Sequence, residues 1–375
     1  MNRESNAILS ENHRLFFIGL IFSSLLQTTS LRAQDDNVVA SAEVLKKLSL
    51  EELMNIEVTT ASRTSVKLTE VASAIQVLTR NDILRSGATN IPEALRLVSN
   101  LQVAQLNANA WIISARGFNT IYANKLLVMI DGRTIYTPLF GGVLWEMQNL
   151  LLEDIDRIEV VSGPGGTLWG ANAVNGVINI ITRNTVDSQG TYVSGMAGDF
   201  VNHSVAARHG GKINDKFFYR AYVQNFRRNN TILPEGEENT DAWYLTQVGF
   251  RMDWQPSDGN AVVFQGDFYD GNKENIPAKS PFDGQNLMAR WTHTFSERSE
   301  FMVHGYFDRY WRDDVPGAVA DELQTFDIDF QHQYKAGKRL PVLTCPASME
   351  CILIKTEVKS EMTLSSGVLV QAMKV

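Results

Sequence analysis

The densest run of chemistry-capable backbone in this 375-residue chain is Gly163-Pro164-Gly165-Gly166, followed by Gly170. Glycines let backbone N–H groups approach an anion closely, so such a turn could cradle a phosphate. The rest of a phosphate loop is missing. No Gly-Lys-Ser/Thr pair follows, the dinucleotide spacing is absent, and the residues after Gly170 read as turn and strand rather than helix. Gly163, Gly165, Gly166 and Gly170 are therefore read as a tight structural turn, with Asn172, Asn175 and Asn179 supplying hydrogen bonds in a packed polar setting. His13, His203, His209, His293, His304 and His332 lack metal-ligand spacing, and no Gly-x-Ser-x-Gly nucleophile turn is present. The sequence asks for no catalytic residue, no metal and no cofactor.

Four charges stand out because they sit in apolar strands: Arg116, Arg133, Arg157 and Glu159. Such groups must be paired or solvated. Asp131-Gly132, between two apolar runs, is a hairpin signal, since a two-residue turn of this kind needs positive φ at both positions. Around these residues, 74–79, 101–106, 111–116, 126–130, 157–161 and 176–182 read as short strands. Asn90 caps a helix in which Pro92 is tolerated and Ile91, Ala94, Leu95 and Val98 form the apolar stripe. These elements predict a compact α+β unit with a small mixed sheet.

After residue 190 the pattern changes to segments of about 10 residues with strict alternation, rich in aromatics. Val248, Phe250 and Met252 oppose Gln247, Arg251 and Asp253. Phe264 and Phe268 oppose Gln265 and Asp267, Phe307 opposes His304 and Asp308, and Phe326, Ile328 and Phe330 oppose Asp327, Asp329 and Gln331. About eight such strands fit between 190 and 334, with longer polar links at 229–241, 270–284 and 312–322. Alternation alone fits a soluble sandwich as well as a transmembrane barrel.

A formal charge of -8 and a pI near 5.4 remove the basic footprint of a nucleic-acid binder, so no nucleic acid is expected as a partner. Cys345 and Cys351 are the only cysteines and leave the first 344 residues without a disulfide framework. Residues 15–26 are an apolar run preceded by Arg3, His13 and Arg14 and followed by Leu31-Arg32-Ala33, which reads as a signal peptide over 1–33. An exported chain without a longer apolar run can enter a membrane only as strands of a closed barrel.

Residues 155–183, with Ser114-Ala115-Arg116-Gly117-Phe118 and residues 126–136 upstream, match in order, spacing and wording the plug domain of TonB-dependent outer-membrane receptors. The chain resembles that family over roughly 55–185. The resemblance implies an α+β plug over 60–185, followed by an antiparallel transmembrane β-barrel whose full form has 22 strands, of which 190–334 would supply about eight. It implies location in the cell outer membrane and energised uptake of a scarce large solute such as a ferric siderophore, haem or cobalamin. The energy would come from the TonB-ExbB-ExbD complex. In such receptors TonB pairs as a strand with a short extended segment. The matching stretch here, in the extension 34–59 and just beyond it, is Ile56, Glu57, Val58, Thr59, Thr60 and Ala61. Arg116, Arg133, Arg157 and Glu159 would then face charges of the barrel wall as a plug–barrel latch. Ser162 stands where many relatives carry a basic residue.

A ligand-sensing receptor without import is the competing expectation, although 34–56 is too short for the periplasmic domain such sensors carry. An exported hydrolase lacks a nucleophile or metal constellation. Residues 335–375 hold no Phe, Tyr or Trp, and the alternation is expected to stop at Leu340-Pro341. This tail is read as anomalous, through a frameshift, leaving a truncated transporter that fails to assemble.

Overall fold

The computed structural model describes residues 57–60, 66–67, 74–122, 125–165, 169–170, 172–274, 279–315, 319–335, 342–358 and 366–373. The signal peptide, most of the 34–59 extension, Ile56, Ala61 and Gly166 lie outside them.

Strands β1 (Glu57–Val58) and β2 (Val66–Lys67) pair antiparallel. A five-stranded mixed sheet follows, in the order β3-β8-β9-β6-β7, from β3 (Ala74–Thr79), β6 (Leu126–Ile130), β7 (Arg133–Thr134), β8 (Ile155–Ser162) and β9 (Gly176–Thr182). The pair β6–β9 is its parallel one. Strands β4 (Leu101–Gln105) and β5 (Trp111–Ala115) form a separate hairpin. Helix α2 (Ile91–Leu95) starts where expected, with Asn90 Oδ1 accepting from the Glu93 amide at 2.8 Å. Helix α1 (Arg80–Arg85) was not anticipated; a Thr79–Asp82 capping box sets its start. Ile83, Ile91, Leu95, Ile155, Ile158, Ile178 and Ile180 form the core of this unit.

The Asp131-Gly132 hairpin forms. Ile130 pairs with Arg133, and Asp131 and Gly132 have φ of 53° and 91°.

From residue 190 ten antiparallel strands follow in sequence order: β10 (Gly190–Met196), β11 (Val201–Asn214), β12 (Phe217–Arg228), β13 (Trp243–Trp254), β14 (Asn260–Glu274), β15 (Lys279–Ser296), β16 (Ser299–Val315), β17 (Val319–Lys335), β18 (Val342–Val358) and β19 (Ser366–Met373). The first eight span the region where about eight were expected. Strands β11 to β18 run 12 to 18 residues, enough for a tilted crossing that needs about 9–11. Alternation sorts as read: Phe264, Phe268, Phe326, Ile328 and Phe330 are exposed, while Gln247, Arg251, His304 and Gln331 are buried. Among the described residues no helix is long and apolar enough to cross a membrane.

Two details differ from the sequence reading. Of the three polar links, 229–241 is a loop, whereas 270–284 and 312–322 are largely strand. Their charges pair across strands, as Arg309 does with Asp283 and Glu322, and as Arg312 does with Asp321 at 2.8 Å. The tail also joins the sheet, β18 pairing with β17 along its full length and β19 with residues 350–357. Ladder pairing uses backbone groups and so needs no aromatics. Pro346 sits in the part of β18 that β19 does not reach, where a missing N–H is tolerated.

Candidate functional site

The α+β unit and the sheet meet through buried charge. Asp131, at the hairpin tip, is the central group. Its carboxylate accepts from the Thr182 amide at 2.9 Å and from Gln265 Nε2 of β14 at 2.8 Å, and it faces Arg251 of β13 at 3.9 Å. Its backbone carbonyl accepts from Arg290 of β15. Burial pushes the Asp131 carboxyl up, but Arg251, Gln265 and Thr182 outweigh it and hold the group below its ordinary value. Arg133, two residues on, pairs with Asp308 of β16. Burial pulls its guanidinium down, and Asp308 and Asp267 more than offset that, keeping it above its ordinary value.

Further contacts repeat the theme. Asp154 pairs with Arg208 of β11 at 2.5 Å and faces Arg220 of β12 at 3.3 Å. Glu146 meets Lys273 at 3.5 Å, and Glu93 meets Arg228 at 3.9 Å. An apolar cluster adjoins them: Ala108, Leu144 and Met147 pack with Phe226, Trp243, Leu245, Tyr269, Phe282, Tyr310 and Leu323. The β4–β5 tip docks on Asp241, which accepts from the Ala108 amide at 2.8 Å. Trp243 Nε1 donates to the Ala108 carbonyl at 2.8 Å.

Of the four charges expected in the latch, Arg133 reaches the sheet. Arg157 and Glu159 do not, among the described contacts. Both stand on β8, two residues apart on one strand face, so they pair with each other at 2.9 Å, and Arg157 also pairs with Asp156 at 2.7 Å. Glu159 is fully buried and turns to the N-terminal segment instead. Its Oε2 accepts from the amides of Thr59 at 3.0 Å and Thr60 at 2.9 Å and from the Thr60 hydroxyl. Trp169 Nε1 donates to the Thr60 carbonyl at 2.7 Å, and Asn179 Nδ2 donates to Thr60 Oγ1 at 3.2 Å. Arg116 is exposed, in a left-handed backbone conformation beside the Gly163 turn.

Thus Glu57 to Thr60 are held in place rather than free: Glu57 and Val58 pair with Lys67 and Val66, and Val58 is fully buried. In the glycine turn, Gly163 N–H donates to the Asn175 carbonyl at 3.0 Å and Gly165 N–H to the Ala173 carbonyl at 2.8 Å. Those amides already have protein partners and cradle no anion. Gly163 and Gly170 take φ of 116° and 86°, which explains the glycines there. Sequence reasoning missed Asp154, Glu146, Glu93, Asp241, Arg208, Arg220 and Arg290. The available signal was charge recurring at inward positions of the alternating strands.

A cavity of about 720 Å³ opens where the loop between β12 and β13 meets the turn before β11 and the β4–β5 hairpin. It is lined by Gln105, Asp199, Phe200, Arg227, Thr231 and Glu238, among others. Among the described residues no group of His, Cys, Asp and Glu gathers as a metal site.

A model of the TonB-dependent receptor plug domain matches residues 67–177. Those residues are a TonB-dependent receptor plug. The ten-stranded sheet that packs on the plug is part of an outer-membrane β-barrel. The vitamin B12 transporter BtuB of Vibrio vulnificus (strain CMCP6) is 32% identical over 167 residues, 43% of this chain and 27% of the relative. The chain thus spans about a quarter of that relative's length. The ferripyoverdine receptor of the outer membrane of Pseudomonas aeruginosa superposes with a TM-score of 0.64 at 16% identity, over 83% of this chain and 47% of that one. The siderophore receptor PiuA from Acinetobacter baumannii gives 0.62 at 12% identity, over 84% and 51%. At such identities the likeness is one of fold: a plug held by a barrel wall.

Proposed function

We propose that this chain is the plug and adjoining wall of a receptor that takes up a scarce large solute, a cobalamin, haem or ferric siderophore, with energy from the TonB-ExbB-ExbD complex. It is a receptor and not a catalyst. The observation that carries the reading is the buried, charge-paired seam between plug and wall at Asp131, Arg133 and Asp154. Charge-assisted pairs can be exchanged for equivalent pairs with another charged partner, so a seam built on them can hand its charges to a solute as the plug shifts. The 720 Å³ cavity is the solute-facing end, since both plug and wall line it. The stretch Ile56, Glu57, Val58, Thr59, Thr60 and Ala61 is the TonB contact. Glu159 retains it until the plug is disturbed, because strand addition needs the backbone groups that Glu159 and β2 now occupy.

The test is binding of the periplasmic domain of TonB to the detergent-solubilised chain. Val58→Pro removes a donor required for strand pairing and should abolish binding. Unchanged binding by the variant, or none by either the parent chain or its Glu159→Gln form, rejects the assignment. Fluorescence titration with cyanocobalamin and with a ferric siderophore separates the solute classes.

A further inference from the structure

We propose that the wall behind the plug is itself an anion site, built to take a solute bearing two or more anionic oxygens, with Asp131 and Asp154 occupying that solute's place at rest. The inference rests on the uptake reading, because only a shift of the plug uncovers the site.

Arg208, Arg220 and Arg251 stand on three consecutive strands and are all buried, at 8%, 5% and 6% exposure. Arg220 and Arg251 are direct cross-strand partners. Like charges placed opposite each other destabilise a sheet unless something negative lies over them. The plug supplies it: Asp154 lies against Arg208 and Arg220, and Asp131 faces Arg251 while its carbonyl takes Arg290. The fit is incomplete. Arg208 Nε is buried without a hydrogen-bond partner, and Asp154 Oδ2 faces Arg220 without forming a hydrogen bond.

When the plug withdraws, both of its carboxylates leave. The wall then presents four guanidiniums, and among the described contacts Asp253 is the wall carboxylate that pairs with them, at 3.0 Å from Arg251. Guanidinium forks match carboxylate and phosphate oxygens equally well, so the chemistry that recognises the site is a polyanion of either kind. Arg133 and its partners Asp308 and Asp267 sit further along β14 and β16, the two strands that flank Arg290, so the basic character is concentrated at Arg208, Arg220 and Arg251 on β11 to β13.

The probe is inorganic pyrophosphate on the full chain in detergent. In the parent protein it should compete with the plug carboxylates, speeding amide exchange of residues 128–134 and 150–156 at least threefold over sodium chloride of equal ionic strength. The Asp131→Asn/Asp154→Asn variant should bind pyrophosphate at least tenfold more tightly than the parent by calorimetry, and adding Arg208→Gln/Arg251→Gln should remove that gain. Equal exchange in the two salts overturns the proposal even if the variants do not fold. A gain that survives the arginine substitutions overturns it as well. TonB takes no part in these measurements, so loss of TonB binding would sink the uptake reading alone.

Discussion

Glu159 and Thr60 lie 99 residues apart in sequence, yet the Glu159 carboxylate accepts both the amide and the hydroxyl of Thr60 inside the plug. One strand of the mixed sheet therefore fixes the chain that enters the plug from its N-terminal side.

Glu159→Gln keeps the shape of that contact and removes its charge. Hydrogen bonds to a charged group contribute roughly 1.5–3 kcal/mol, so exchange of the Thr59 and Thr60 amides should quicken by about tenfold or more. Affinity for the TonB periplasmic domain should rise in step. Hydrogen exchange by mass spectrometry reads the first and calorimetry the second. Unaltered exchange would show that Glu159 does not retain the segment.

The Asp131 carboxyl is held below its ordinary value of 3.8 in the folded protein. Its contribution is thus complete above about pH 4 and lost as pH falls through the lower folded value. Acid should loosen the plug from the wall in that range, seen as rising protease cleavage in the 126–136 hairpin. Asp131→Asn should lower plug retention at neutral pH and flatten its acid dependence. An unchanged acid profile in the variant would assign the effect to other carboxylates.

Arg133→Gln leaves Asp308, half-buried against the plug, without its cation. Removing one partner of a fully buried pair costs about 3–5 kcal/mol, so this half-buried one should cost less, and adding Asp308→Asn should recover a large part of it. A double-mutant cycle on urea-induced plug release measures the coupling. Additive effects would mean that the two residues do not act as a pair.

Asp241→Ala leaves the Ala108 and Thr231 amides without their acceptor. Each such loss costs roughly 1–3 kcal/mol. The tip of the β4–β5 hairpin should come away from the wall, with a change in emission from Trp243, whose indole N–H donates to Ala108. Unaltered emission would place the hold on the tip elsewhere.

The architecture could be read from the chain because it rests on local rules. Alternation told Phe264 from Gln265 and Phe330 from Gln331, Asp131-Gly132 marked its hairpin, and Asn90 marked its helix. The charged seam could not be read the same way. Asp154 meets Arg208 and Asp131 meets Arg251 only after two separately folded surfaces come together, and nothing local says which of several inward arginines lies level with which carboxylate. Arg157 and Glu159 mislead for the opposite reason: two residues apart on one strand, they satisfy each other and the entering chain before any wall is near. Helix α1 was missed because six residues carry little periodicity and its capping box lies directly against a strand. In the tail, the lack of aromatics hid strands that backbone pairing suffices to form.

The register that sets Arg220 against Arg251 also bears on the order of assembly. Two neighbouring strands that repel at the fourth pair from one end of their ladder are slow to zip on their own, and the repulsion ends only when Asp154 and Asp131 arrive. The plug is in that sense a template for the wall: β12 and β13 should close fastest against a domain already folded, so the plug should acquire its structure before the wall does.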